Sequence, residues 1–299
     1  MAKTEVKQYL GYLAWLLILV GVFFAVRAAM APRGEDISWQ TVKMDGHRSG
    51  TECITQENVN TALGVFEEDG YRAPNGEAFD EDSPVPQVAE ILMEVQPQLA
   101  YLKEVVGHSA RMMDNDRVHD MPISNLFVDV LRDAGSKYFK VPMDFAITNY
   151  GGIRVPMPEG AITLDDIASM FPFKNYMCYA KVKGSELTRL FEQLAETEEF
   201  QAISGARVKV KGHKLESALI GDKPIDPKKV YNVTTIDFLL DGGDGIRIGA
   251  MAQDVKLTRV LLKDIMLDYI RDCESKGIVI DSASDGRVIR EDEAMKTSN

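Results

Sequence analysis

Two apolar runs break off into paired glycines, and they set the strongest limit on what this chain can fold into. DFAIT leads straight into NYGGIRVP, from Asn149 to Pro156, and KVYNVTTIDFLL leads into DGGDGI, from Asp241 to Ile246. An apolar run of strand length that ends on turn residues reads as a buried strand delivering a loop. Paired glycines let such a loop turn sharply and bring its backbone N–H groups close to a ligand, because no Cβ stands in the way.

The segments around these joints mix helical and strand periods without strict alternation. VAEILMEVQPQLAYLKEVV puts Val88, Ile91, Leu92, Val95, Leu99, Leu102 and Val106 on one helical face, with a kink at Pro97. NLFVDVLRDAG opens as a helix at Ser124 or Asn125 and closes at Gly135. TLDDIASM is a short helix with Thr163 as N-cap and Asp166 three residues on, a capping-box pattern. YMCYAKVKG alternates as a strand, and GSELTRLFEQLAE follows it as an amphipathic helix. ARVKVKG reads as another strand and KLTRVLLKDIMLDYI as a helix. The expected class is α+β, with mixed β-sheets and flanking helices, preceded by one N-terminal apolar helix. The main domain is expected over residues 87–285. Residues 32–86, acidic and rich in Gly, Pro, Asn and Asp, read as a linker or small accessory segment, and 286–299 as a disordered tail.

Behind MAKTEVKQY lies LGYLAWLLILVGVFFAV, Leu10 to Val26, with no charged residue. As a helix it spans about 26 Å, close to the ~30 Å of a hydrocarbon core. It is read as an export signal over residues 1–31. Either it remains as a membrane anchor, or it is a signal peptide cut at Ala29-Met30-Ala31. Both put the rest of the chain outside the cytoplasm, membrane-anchored facing the periplasm or cell exterior, or secreted.

Charge narrows the function classes. With 34 basic against 46 acidic side chains, a net charge of −12, a nucleic-acid polymer is excluded as partner, since its phosphates demand many cations. Phosphate-loop, dinucleotide, nucleophile-elbow and H-E-x-x-H motifs are missing. His47, His108, His119 and His213 are scattered, and Cys53, Cys178 and Cys273 form no CxxC, so no metal is assigned to this chain. What the loops offer is recognition. Asn149 both donates and accepts, and Arg154 presents a planar fork suited to a phosphate or a carboxylate. Asp244, between Gly243 and Gly245, accepts from hydroxyls, and Phe173 and Phe238 provide aromatic faces. A cation, a hydroxyl acceptor and two aromatics together suggest a nucleotide.

Taken in order, NYGGIR, the Gly160–Thr163 stretch, FPFKN, KVKGSEL, QAISGARV and PIDPKKVYNVTTIDFLLDGGDG resemble the C-terminal domain of the 5′-nucleotidases, a family that includes UDP-sugar hydrolases. The resemblance covers residues 87–275. It implies that Phe173 and Phe238 stack on the base, that Asn149 and Arg154 face base and phosphate, and that Asp244 takes the ribose hydroxyls. Gly151 and Gly152 would be the positions of close approach. The family's metallophosphatase domain, which supplies two metals and the catalytic chemistry, has no counterpart here. The resemblance therefore implies the substrate-binding half of a phosphohydrolase of nucleotide catabolism. No catalytic residue or cofactor is expected on this chain, and a separate metallophosphatase subunit would hold divalent metals. Where the family has an Arg ahead of a helix, this chain has His119, with Arg117 two residues earlier, as a possible phosphate contact. The alternative is a non-catalytic extracytoplasmic nucleotide-binding or scaffold protein.

Overall fold

The computed structural model describes residues 62–67, 70–80, 82–116, 119–197 and 200–291. The apolar run 10–26 and Arg117 lie outside the described residues. Among the described residues no helix is long and apolar enough to cross a membrane.

Three short strands come first, β1 (Val65–Glu67), β2 (Gly70–Arg72) and β3 (Ala78–Phe79), paired antiparallel. The register sets Phe66 opposite Tyr71 and Tyr71 opposite Phe79, so three rings cluster across this small sheet at centroid distances of 5.1 and 6.3 Å. Within the segment 32–86, residues 65–79 thus form a small folded sheet.

Helix α1 (Pro84–Val95) passes into a 3₁₀ turn over Gln96–Lys103, and β4 (Val105–Ser109) follows. The single kinked helix expected over 88–106 is not formed. Pro97 has no N–H to give and clashes with the preceding turn, so the α-helix ends at Val95, and Val106 belongs to a strand. The expected stripe is also not a core face. Helix α1 rests on Pro86 and Ala89, and Val88, Ile91, Leu92, Val95 and Leu99 are exposed.

Helix α2 (Pro122–Phe139) starts earlier and ends later than expected. Pro122 fits its first turn, where a missing N–H costs nothing, and Lys140, at φ 55°, makes the left-handed stop. Gly135 lies inside the helix and acts as a close-approach residue. A Cβ there would press onto Thr234 Oγ1 and lie 3.0 Å from Thr234 Cβ.

The remaining elements are β5 (Phe145–Thr148), β6 (Gly160–Thr163), α3 (Leu164–Met170), β7 (Tyr176–Lys183), α4 (Gly184–Glu196), β8 (Ala202–Ser204), β9 (Ala206–Lys211), β10 (Lys214–Ile220), β11 (Lys223–Pro224), β12 (Val230–Ile236), the one-turn helices α5 (Asp237–Leu240) and α6 (Ile248–Met251), β13 (Ala252–Leu261), α7 (Leu262–Ser275) and β14 (Val288–Arg290). The central sheet runs β13-β7-β12-β5-β8, antiparallel except for the β12–β5 pair. A second sheet runs β11-β10-β9-β14, with β14 parallel to β9, and β4 pairs with β6. Helix α4 is pinned to β5 by an edge-on contact of Phe145 with Phe191 at 5.2 Å. The capping box at α3 is fully made, with Thr163 Oγ1 accepting from Asp166 N–H and Asp166 Oδ2 accepting from Thr163 N–H. These mixed sheets with flanking helices are the expected α+β class.

Two boundaries differ from expectation. Lys256–Leu261, read as the start of a helix, is the end of strand β13, drawn into the sheet by pairing with β7, and helix α7 opens only at Leu262. Within 286–299, Val288–Arg290 is a strand and not a tail. Its anchor is Arg287, 9% exposed, whose guanidinium donates to both Asp129 oxygens at 2.9 and 3.0 Å, to Asp285 and to the Ile203 carbonyl.

Candidate functional site

Three loops converge where β5 and β12, the parallel pair at the middle of the central sheet, reach their C-terminal ends. Such ends are where open sheets present ligand-binding loops. Strand β5 is wholly buried and hands the chain to Asn149, itself buried, and then to a 3₁₀ turn at Tyr150–Gly152. Tyr150 anchors the turn from below. Its N–H donates to Gln201 Oε1 at 3.0 Å, and its phenol meets the Asp120 backbone and the Ser124 hydroxyl. Burial pushes that phenol well above the usual tyrosine range, so it stays neutral.

Gly152 packs closely, because a Cβ there would stand 3.0 Å from Asn149 Oδ1. Beyond it the Arg154 N–H donates to the Met170 carbonyl at 3.1 Å, tying the first loop to the end of α3. Helix α3 is followed by the FPFKN turn, in which two phenylalanines part ways. Phe171 is a core residue, edge-on to Phe127 at 4.5 Å, whereas Phe173 is 49% exposed. The Arg154 guanidinium lies over the Phe173 ring, 5.8 Å from its centroid, and donates to the Gly151 carbonyl at 3.3 Å. Among the described residues it has no carboxylate partner.

The third loop leaves β12 through Asp237, whose Oδ1 accepts from the N–H groups of both Tyr176 and Phe238, at 3.0 and 2.9 Å. One carboxylate oxygen thereby joins the end of the Phe173 turn to the start of the Phe238 turn. Phe238 is 42% exposed and its ring lies against Gly243, where a Cβ would come within 2.5 Å of the ring. The loop then turns through positive φ at Gly242 (108°), Asp244 (50°) and Gly245 (76°). For an aspartate the left-handed region is strained, and such conformations persist where surrounding contacts hold them. Here Asp244 Oδ2 accepts from Asn149 Nδ2 at 3.0 Å, and Gln193 Nε2 holds the Gly245 carbonyl at 2.9 Å. Among the described residues Asn149 Oδ1, which is buried, has no hydrogen-bond partner.

Asn149, Gly151, Gly152, Arg154, Phe173, Phe238 and Asp244 therefore stand on one set of cross-linked loops. His119 sits half-buried on the turn into α2, next to Asp120, which touches Tyr150. Sequence reasoning gave Asp237, Gly243 and Gln201 no part in joining the loops. Asp237 had a readable signal, an acid at the junction of an apolar strand and a turn. Gln201 had none, because its role depends on β8 lying beside β5. Among the described residues no group of three or more His, Cys, Asp or Glu side chains draws together as a metal would need.

The sequence profile of the family described as "5'-nucleotidase, C-terminal domain" matches residues 102–252, just over half of the chain. An apyrase of Tabanus yao is 27% identical over 225 residues, covering 64% of this chain and 40% of its own. Protein UshA of Yersinia enterocolitica is 32% identical over 106 residues, 34% of this chain and 19% of its own. The crystal structure of a 5'-nucleotidase precursor from Thermus thermophilus superposes with a TM-score of 0.61 at 21% identity, over 77% of this chain and 49% of that one. The chain thus spans less than half of each of these relatives. The matched segment runs from the end of the 3₁₀ turn after α1 into β13 and contains all three loops, and on that match the chain belongs to the 5'-nucleotidase C-terminal domain family.

Proposed function

We propose that this chain is the nucleotide-binding half of a 5′-nucleotidase-type phosphohydrolase acting in nucleotide catabolism, completed by a separate metallophosphatase chain. The observation that supports this most is the cross-linking of the three loops. One carboxylate, Asp237, joins the end of the turn that carries exposed Phe173 to exposed Phe238, and Arg154 lies over Phe173 with no carboxylate to neutralise it among the described residues. In this reading the two rings hold a base, each contact contributing about 1–3 kcal/mol. Arg154 meets the phosphate, Asp244 the ribose hydroxyls, and Asn149 Oδ1 accepts from the base edge. Gly151 and Gly152 let the backbone come close, and Arg117 and His119 are kept as possible phosphate contacts. Divalent metals reside on the partner subunit, and the apolar run 10–26 keeps the assembly outside the cytoplasm, as an anchor or as a cleaved signal.

The test has two arms. Calorimetry with adenosine and AMP should show binding that Phe173→Ala weakens for both ligands and Arg154→Ala weakens for AMP alone. Hydrolysis of AMP should be absent with this chain and divalent metal, and should appear when an exported metallophosphatase domain is added. Turnover by the chain alone refutes the division of labour. Binding without turnover in the completed mixture points to the second reading, a non-catalytic nucleotide-binding or scaffold protein.

A further inference from the structure

Beyond the segment matched to the family, residues 281–286 cross the start of α2 as a strap fixed at both ends. At one end Ile280 is buried and its N–H donates to the His108 carbonyl at 2.8 Å. At the other, Arg287 is buried and β14 joins β9. Between these ends the strap is exposed or half-buried, and polar contacts hold it. Arg111 donates to Asp281 and to the Ser282 carbonyl, and Asn125 Nδ2 donates to the Ala283 carbonyl at 3.1 Å. Asp120 then takes the last turn. Its Oδ2 accepts from the Gly286 N–H at 2.7 Å, and its Oδ1 from the Asp285 N–H at 3.3 Å and from Asn125 Nδ2 at 2.8 Å. We infer that Asp120 is a positioning residue, which couples the docking of this strap to the shape of the first glycine loop.

The coupling runs through Tyr150. Its phenol meets the Asp120 backbone and the Ser124 hydroxyl, and Met121, Ser124 and Tyr150 line one small gap. On its other side the Tyr150 carbonyl accepts from the Ile153 N–H at 3.0 Å, which closes the turn that carries Gly151 and Gly152. Asp120 has φ 59°, a left-handed backbone that is strained for an aspartate and persists where contacts hold it. Those contacts come from the strap and Asn125. A segment held by exposed hydrogen bonds and few buried apolar contacts opens at low cost. Once it opens, the Asp120 carboxylate loses two N–H donors, the strained turn relaxes, and a backbone partner of the Tyr150 phenol moves with it.

The experiment follows amide hydrogen exchange by mass spectrometry on the full chain without ligand, for wild type, Asp120→Asn, Tyr150→Phe and the double variant. Asparagine takes the left-handed conformation as readily as aspartate, so Asp120→Asn changes the acceptors and leaves the backbone preference alone. It should speed exchange about 5- to 10-fold in the strap, 281–287, and also in the first loop, 149–154. Tyr150→Phe should speed the loop by a similar factor, and adding Asp120→Asn to it should speed the loop little further, because both act on one link. A faster strap beside an unchanged loop would overturn the coupling, as would additive effects on the loop. A rise that extends equally to helix α4 would mean a loosened fold and would overturn it too. Where Asp120→Asn does not fold, Asp120→Glu, which keeps the charge and shifts the carboxylate by one methylene, is read on the same segments. Adenosine affinity by calorimetry is a second readout, and this one rests on the nucleotide reading above. Asp120→Asn should bind adenosine about 5- to 10-fold more weakly, and unchanged affinity where wild type binds would refute the positioning role. A wild type that does not bind adenosine would refute the nucleotide reading, and the exchange rates alone would then decide the coupling.

Discussion

Gly243→Ala separates where the Phe238 ring stands from what the ring is. The added methyl would come within 2.5 Å of Phe238 Cζ, tighter than carbon atoms approach, so the ring must retreat by about 1 Å or swing away. The cost to folding is small. Phe238 is already 42% exposed and Gly243 is not at positive φ, so alanine fits the backbone. Losing the remaining ring contacts costs about 1 kcal/mol, and replacing glycine lowers the unfolded-state entropy by a comparable amount. Stability should therefore stay within about 1 kcal/mol of wild type by urea denaturation. Binding is another matter. If the ring is one face of the base sandwich, its displacement removes about 1–3 kcal/mol, and adenosine should bind roughly 5- to 150-fold more weakly by calorimetry. Phe238→Ala should give the full loss, and adding Gly243→Ala to it should change little, because both act on one contact. Adenosine affinity within about twofold of wild type in Gly243→Ala would refute the role given to Phe238.

Gly135→Ala should destabilise the fold by about 1–3 kcal/mol despite the higher helix propensity of alanine, because the methyl presses into Thr234. Thr234→Ala in the same chain should recover most of that loss, as read by urea midpoints. Gly152→Ala places a methyl against Asn149 Oδ1 and should weaken adenosine binding by about tenfold while leaving the thermal midpoint nearly unchanged. Arg287→Met should cost about 1–3 kcal/mol, since the carboxylates it holds are half-exposed and solvent screens part of the loss. The hydrogen bond from Arg287 holds the Asp285 carboxyl below its ordinary value. That contribution is present above the unfolded carboxyl value of about 4 and fades as pH falls through the lower folded value. In Arg287→Met the stability curve below about pH 4 should be flatter, as followed by urea midpoints against pH.

The elements best read from sequence were those in which local chemistry and burial agree. Thr163 and Asp166 form their capping box wherever the chain folds, and strand β5 and helix α4 were recovered because their patterns match the faces they bury. The misreadings have tertiary causes. Gly135 looks like a helix stop until Thr234 is known to lie beneath it. Lys256–Leu261 has an apolar run that suits a helix, but β7 offers a ladder that takes it as a strand. The stripe from Val88 to Leu99 has helical spacing, yet spacing alone does not supply a surface to cover it. Asn149, Arg154, Phe238 and Asp244 were legible as loop residues because paired glycines mark their loops, and Phe173 because Pro172 marks its turn. Gln201 acts through the pairing of β8 with β5, which no local pattern records, and Gly243 through a ring contact within its own loop that spacing does not show.

The parallel pairing of β14 with β9 has a consequence in time as well as in space. Strand β9 ends at Lys211 and its neighbour begins at Val288, so the ribosome must add nearly 80 residues between them. At about 5–20 residues per second, one side of β9 waits roughly 4 to 16 seconds for its partner. During that interval its unpaired N–H and C=O groups are an invitation to any other nascent strand. Arg207, Lys209 and Lys211 alternate along that strand and remain on the exposed side. In the finished protein they decorate a surface, and during synthesis their mutual repulsion keeps two such strands from zipping together before Arg287 arrives to lock the proper one in place.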